Sequence, residues 1–374
     1  MPSDFPLPAG DPDLLGFARK PLENLDRLIR RHIEDGRYPG CQIALARDGK
    51  LALFRSYGDA RIEPQRVRAG DDTLWLLFSN TKVLTMAAVW SLVEEGQLSF
   101  TDRVADHIPE FATGGKDEVT IFQLATHQAG FPSANISREA WADHARMRAE
   151  VCDFALEWPP GSRTHYHPRA AHATLAMVLE AVTGEDFRDV IRSRVIDPLG
   201  LSRELFVGVP RAEQARCADI HAPPNPDAPV DNGAAFREAG LPHGGGFGTA
   251  RAMAAFYQMM LGGGRLGELR LFSRRMIEYV TRDFTGERPD GYMNGIPMHR
   301  GLGPHSRGSG ERVRGLGSIA APATYGHGGV GSSYCWADPT SGVSFAYVTN
   351  FVSPDPWHSA RMDRVCNLVH AAIE

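Results

Sequence analysis

Lysine is scarce in this chain: Lys20, Lys50, Lys82 and Lys116 are the only four among 40 Lys plus Arg. Arginine keeps its proton in a protein, whereas a buried lysine can lose it, so a lysine at a chemically suitable place stands out. Cysteine is sparse as well. Cys41, Cys152, Cys217, Cys335 and Cys366 are scattered, odd in number and never in C-x-x-C spacing. That pattern excludes a disulfide framework and a cysteine zinc site, and a reducing, cytoplasmic setting is the simplest expectation. The opening stretch, MPSDFPLPAGDPDLLGF, has no positive n-region and no apolar h-region, so no signal peptide is expected. No run of about 18 apolar residues occurs, which excludes a membrane-spanning helix. With a net charge of −5, the chain offers neither a basic face for nucleic acid nor a polybasic segment for a membrane. No internal repeat or low-complexity tract is found.

What is present is 374 residues, 43% of them hydrophobic, enough to bury one large core or two coupled ones. Helical spacing runs over residues 16–35 through Leu22, Leu25, Leu28, Ile29 and Ile33. Two apolar runs around Asp48 and Gly49 predict a β-hairpin, and the polar stretch 60–73 reads as loop. Residues 80–94 are apolar on nearly every face, which marks a central buried helix that stops at Gly96. Residues 100–250 are mainly helical patterns, among them 119–126, the clear helix at 170–183, and 187–195. After about residue 320 the texture returns to strands, 332–337 and 343–349 around a turn at 338–342, and a last helix covers 357–373. The expected fold class is therefore α/β (α+β): an antiparallel sheet flanked by helices, built from both chain ends, with an inserted mainly helical domain. The expected boundaries are 1–75 plus 265–374 for the discontinuous sheet domain and 76–264 for the helical one, with the active site at their interface.

Three segments carry chemistry. In Ser79-Asn80-Thr81-Lys82 the first and last residues share one helix face, so the amine can reach the hydroxyl. Serine is a poor nucleophile without a neighbouring base, and a lysine packed in an apolar helix is desolvated toward its neutral form. The competing reading is an N-cap serine followed by a surface lysine. Tyr166, in GSRTHYHP before the helix at Ala170, reads either as a packing anchor or as a phenol that shuttles a proton beside the Lys82 cation. His327, Gly328 and Gly329, in YGHGGVG before a strand expected at Ser332, read as a plain Gly-rich turn or as an edge that presents a backbone N–H to an oxyanion.

Together and in this order, these segments resemble the serine β-lactamase-like family of class C β-lactamases, DD-peptidases and family VIII carboxylesterases. Segment 120–132, TIFQLATHQAGFP, is similar to the family's TIxxLLTHTSGLP, and stretches at 182–201, 244–250 and 338–350 resemble further family landmarks. The resemblance covers roughly residues 20–372. It implies Ser79 as nucleophile, Lys82 as its base partner, Tyr166 as the catalytic tyrosine, and the backbone N–H groups of Ser79 and Val330 as the oxyanion hole. Two departures bear on the substrate. The family's Tyr-x-Asn box reads Tyr166-His167-Pro168, which has no side-chain amide. Its Lys-Thr-Gly box reads His327-Gly328-Gly329, which lacks the permanent cation that pairs with a β-lactam carboxylate. The esterase branch fits better.

The expectation is thus a serine hydrolase that cleaves small carboxylic esters through an acyl-enzyme on Ser79, without a cofactor or metal and without nucleic-acid or membrane partners. Amide hydrolysis, acyl transfer and weak β-lactamase activity are the alternatives on the same site, and a non-catalytic binding protein is the alternative to an enzyme. His165, His167 and His172 cluster, yet no H-E-x-x-H pattern accompanies them. No serine lies in a G-x-S-x-G elbow. The pocket walls are expected from loops at 130–165, 220–245 and 285–315, the last being long and Gly-rich. His327 is expected to orient Tyr166 or to line the pocket.

Overall fold

The computed structural model describes residues 5–223, 231–311 and 315–374. Its largest sheet draws strands from both ends of the chain. β1 (Gly40–Arg47), β2 (Lys50–Arg61) and β3 (Val67–Arg68) come from the first part. β4 (His305–Ser306), β5 (Tyr325–Gly328), β6 (Tyr334–Asp338) and β7 (Val343–Thr349) come from the last. The antiparallel order is β3-β2-β1-β7-β6-β5-β4. Asp48 and Gly49 both have positive φ, 53° and 70°, the pair of left-handed residues that a two-residue hairpin turn requires. The principal helices are α1 (Arg19–Glu34), α2 (Thr81–Glu94), α3 (Ala170–Thr183), α4 (Ala250–Leu261) and α5 (Trp357–His370).

The central strands are buried on both faces, and the faces differ in size. Ala44, Ala46, Cys335, Ala337 and Ala346 belong to the core shared with α4. Ile43, Leu45, Trp336, Phe345 and Tyr347 belong to the core under α1 and α5. Small residues on one face meet the Ala-rich side of α4 and let that helix lie close to the sheet. The large residues fill the wider space beneath α1 and α5. Beyond α4, α2 packs against α3 in the helical middle of the chain, and almost the whole of α2 is buried.

Three segments differ from expectation. Residues 60–73 are not all loop: β2 runs on to Arg61 and β3 pairs with it across a bulge, because buried Asp59 ion-pairs with both Arg66 and Arg68 and draws the return strand in. The α-helix begins at Thr81, after a 3-10 turn at Phe78–Asn80, so Ser79 lies ahead of α2, and no side chain caps either element. The third Gly-rich segment is not a turn up to Gly328: Tyr325–Gly328 is β5, paired on both sides, and the following strand starts at Tyr334 rather than Ser332. Gly326 lies so close to β6 that a Cβ would sit 2.2 Å from the Cys335 carbonyl oxygen. Among the described residues no helix is long and apolar enough to cross a membrane.

Gln258 fastens α4 to the sheet. Its Oε1 accepts the Gly49 N–H at 2.9 Å, and its Nε2 donates to the Ala46 and Gly342 carbonyls and the Ser344 hydroxyl, each at 3.1 Å. Gln258→Leu removes these four hydrogen bonds, two of them to the buried residues Ala46 and Ser344, and a loss of about 1–3 kcal/mol is expected. It would be read as a lower urea midpoint at unchanged slope; an unchanged midpoint would refute this role.

Candidate active site

Ser79 occupies the short turn ahead of α2, and its neighbour Phe78 holds φ at 47°, a left-handed conformation that costs a bulky residue about 1–3 kcal/mol. The two residues between Ser79 and Lys82 hold this turn in place. Asn80 Nδ2 donates to the Leu77 carbonyl (2.8 Å) and to Ser333 Oγ (3.0 Å). Thr81 Oγ1 donates to the Phe78 carbonyl (2.7 Å) and accepts the Gly246 N–H (2.9 Å). The turn is therefore tied to the strand segment at Gly246–Gly248 on one side and to the approach to β6 on the other.

Lys82 is wholly buried. Its Nζ donates to the carbonyls of Pro168 (2.8 Å) and His243 (2.6 Å) and lies 3.1 Å from Ser79 Oγ. Among the described residues no carboxylate pairs with it. Burial first, then the charges of Arg300 and Arg169, pushes its pKa well below the usual lysine range. A neutral amine has two N–H donors and one lone pair. Two carbonyls take the donors, and the lone pair is left for the Ser79 hydroxyl proton. The capping alternative for Ser79 is thus not what this geometry shows: the hydroxyl meets the amine.

Tyr166 is buried beside this pair, its ring centroid 5.1 Å from Lys82 Nζ. Burial raises its pKa above the ordinary phenol value; the adjoining Ser79 and the Arg300 charge pull it partly back. No hydrogen bond of ordinary geometry closes on the hydroxyl among the described residues. The backbone around Tyr166 is fixed by Asp290. That carboxylate is completely buried, accepts the N–H groups of Tyr166 (3.1 Å) and Tyr292 (3.0 Å), and ion-pairs with Arg300 at 2.6 Å. Arg300 in turn lies 4.8 Å from the Tyr166 ring centroid. The long Gly-rich segment 285–315 is therefore anchored in the core at Asp290.

The third wall is the turn from β5 to β6. Among the described residues no hydrogen bond uses the Val330 N–H. Gly329 is forced by close approach: a Cβ there would lie 2.4 Å from Ser333 Oγ and 2.9 Å from both the Leu77 carbonyl oxygen and Phe78 Cβ. Gly328 likewise lies against the Tyr334 ring, 2.4 Å from where its Cβ would be. Arg361, reaching in from α5, donates to the Gly331 (3.1 Å) and Ser332 (3.0 Å) carbonyls from among the rings of Tyr38, Tyr347 and Trp357. His327 is expected from the sequence to orient Tyr166 or to line the pocket. It is buried behind the site, 6.1 Å from the Tyr166 ring with no hydrogen bond to it, and its Nδ1 donates to the Gly328 carbonyl at 2.9 Å. It is absent from the cavity wall.

The histidines form a neutral shell. His127, His172, His243 and His327 are buried, or nearly so, and burial holds all four well below the usual imidazole range. His167 donates from Nδ1 to the His165 carbonyl (2.6 Å), and its Nε2 accepts the Phe131 N–H (3.2 Å); its pKa is lowered to about 4. His165, His167 and His172 do not converge on a common point. Among the described residues the one His and carboxylate group of metal-binding spacing is His144, Glu180 and Asp186, outside this cavity.

Ser79, Tyr166 and Val330 open on a cavity of about 770 Å³. All three expected wall segments contribute, through Trp141, Phe236 and Tyr292 among others; residues 224–230 and 312–314 of those segments lie outside the described residues. Sequence reading missed Asp290, Arg300 and Arg361. Asp290 begins DGYMNG, which reads as a turn, and nothing in the order of residues marks its partner.

Comparison with known proteins bears on the family and the fold. The family model described as Beta-lactamase matches residues 25–365. A protein of Escherichia coli K12 named "Putative D-alanyl-D-alanine carboxypeptidase" is 26% identical, over 92% of this chain and 85% of its own. A penicillin-binding protein homologue from Caulobacter crescentus superposes with a TM-score of 0.81 at 28% identity, covering 96% of this chain and 99% of its own. A family VIII carboxylesterase superposes with a TM-score of 0.81 at 25% identity and the same coverage.

The buried histidines make stability depend on pH. His32 and His167 are lowered to about 4 and His305 to about 3, each mainly by burial. The unfolded chain takes up these protons near the ordinary imidazole value of 6.5, before the folded chain does. The stabilisation is complete above about pH 6.5 and is lost as pH falls toward about 4. The melting temperature should fall steadily across that window; a flat profile would show that these groups protonate freely in the native state.

Proposed function

The chain belongs to the Beta-lactamase family, and from that premise we propose that it is a serine hydrolase of carboxylic esters that acts through an acyl-enzyme on Ser79. The observation that carries the proposal is the 3.1 Å contact between Ser79 Oγ and a buried lysine amine that has no carboxylate partner among the described residues. Lys82 Nζ takes the Ser79 proton as Oγ bonds to the ester carbonyl carbon. The N–H groups of Ser79 and Val330 receive the oxyanion. Tyr166, held protonated by burial, gives its proton to the departing alkoxide as the C–O bond breaks, and recovers one from the Lys82 ammonium. Water then attacks the acyl carbon while Lys82 takes its proton, and Ser79 leaves with a proton restored as the acid is released. No step calls for a cofactor. Gly328 and Gly329 shape the oxyanion wall, and His327 supports it from behind.

Two features support an ester rather than a β-lactam. His327 is buried and neutral where β-lactam-recognising relatives place a cation, and Pro168 offers no side-chain amide. A D-alanyl-D-alanine carboxypeptidase activity is the second reading, favoured by the name of the E. coli relative. The five cysteines are all unpaired, which suits a cytoplasmic setting.

Short p-nitrophenyl esters, a chromogenic cephalosporin and a D-alanyl-D-alanine peptide, assayed side by side, test the proposal. Ester turnover should dominate. Ser79→Ala should remove it by several orders of magnitude. Lys82→Arg should lower kcat by about 10²–10⁴-fold, because arginine cannot accept a proton. Ester turnover that survives Ser79→Ala, or turnover of the peptide alone, would overturn the ester reading. Gly329→Ala should push the 329–331 turn off the Ser79 turn and lower kcat by about 10²–10³-fold with a smaller change in KM. An unchanged kcat would remove Val330 from the oxyanion hole.

A further inference from the structure

The wall of the cavity is mainly apolar, with Leu76, Phe78, Trp141, Phe236 and Val352 on it, yet two charged side chains also line it, Arg169 and Asp231. Asp231 is committed: it lies 2.8 Å from Arg138 and accepts the Gly233 N–H at 2.7 Å. Arg169 is exposed to the cavity, and among the described residues it has no carboxylate partner and no side-chain hydrogen bond. The Arg169 guanidinium is accessible from the cavity, and its planar fork fits a carboxylate through two parallel hydrogen bonds. The other cation near the site, Arg300, is buried and spent on Asp290. Arg169 is thus the uncommitted positive charge that a substrate entering this cavity meets.

We propose that Arg169 is a specificity residue that anchors an anionic group of the substrate, so that the enzyme favours esters whose apolar body carries a carboxylate. The inference rests on the ester-hydrolase reading above and adds the substrate class. Arg169 also acts electrostatically on Lys82 and His243, which places its charge within reach of the reacting centre. A carboxylate bound there would partly neutralise that charge.

The test uses two matched ester pairs. The mono-p-nitrophenyl ester of adipic acid against p-nitrophenyl hexanoate places the carboxylate on the acyl side; 4-acetoxybenzoate against phenyl acetate places it on the leaving side. The readout is the ratio of kcat/KM for the anionic ester to that for the neutral one, in wild type, Arg169→Gln and Arg169→Lys. In at least one pair the wild-type ratio should favour the anion. Arg169→Gln should lower that ratio by about ten- to a hundredfold, mostly through KM. Arg169→Lys should restore part of it, and added salt should reduce the wild-type preference. Ratios that Arg169→Gln leaves unmoved in both pairs, with Ser79-dependent turnover intact, would overturn the Arg169 inference alone. Absence of Ser79-dependent turnover of all four esters would overturn the ester reading and the inference with it.

Discussion

The arrangement of the site depends on a lysine amine buried with no carboxylate partner among the described residues. Hydrogen bonding alone does not choose its protonation state. An ammonium could donate to Pro168, His243 and Ser79 together; a neutral amine donates to the two carbonyls and accepts from Ser79. The choice falls to charge. Taking an ammonium out of water costs several kcal/mol, and each charge-assisted hydrogen bond returns about 1.5–3 kcal/mol at most. Two arginines oppose the ammonium further, and the histidines around it are neutral. Removing the acid that usually accompanies a buried lysine turns a structural ion pair into a base.

A second buried charge makes this possible. Arg300 would add an unpaired cation to the site if Asp290 did not lie against it. The same Asp290 holds the backbone N–H of Tyr166, and so one carboxylate fixes the tyrosine and keeps the guanidinium against its ring. The Val330 side has a parallel device. Arg361 is buried among three aromatic rings and holds the two carbonyls after Val330, which ties the α1 and α5 side of the sheet to the turn beside Ser79. Arg361 acts on backbone carbonyls, and Arg300 acts through the Asp290 carboxylate that holds the Tyr166 N–H. They set where Tyr166 and Val330 sit without adding charge to the cavity surface.

What the sequence made legible follows from what is local. The Asp48–Gly49 hairpin, the all-apolar helix after Lys82 and the helix at Ala170–Thr183 rest on spacing and turn chemistry within a few residues. Ser79 and Lys82 share a face for the same reason. The return strand Val67–Arg68 was hidden because it is held by Asp59, whose backbone is in turn held by Pro39 and by Asn350 from far along the chain. Strand Tyr325–Gly328 was hidden because glycine lowers strand propensity; Gly326 and Gly328 are selected by the approach of β6, and Gly329 beside them by the approach of the Ser79 turn from far along the chain. Asp290, Arg300 and Arg361 were invisible for a related reason: each works by reaching a backbone group or charge that folding alone brings near.

The replacement at Pro168 bears on which acyl bond the site can bind well. Pro168 lines the cavity, has no N–H, and its carbonyl is already engaged by Lys82. An amide substrate brings an N–H donor and a strongly accepting carbonyl into a wall that is mostly apolar, and an N–H left without a partner there costs about 1–3 kcal/mol. An ester brings no donor. Its alkoxy oxygen accepts hydrogen bonds weakly and loses little on leaving water. The leaving groups differ in the same direction: each would take one proton from Tyr166, but an alkoxide departs far more readily than an amide nitrogen. In this cavity a side-chain amide would aid peptide substrates most, and proline in its place withdraws that aid while leaving the Ser79 and Lys82 pair, and the support of both, untouched.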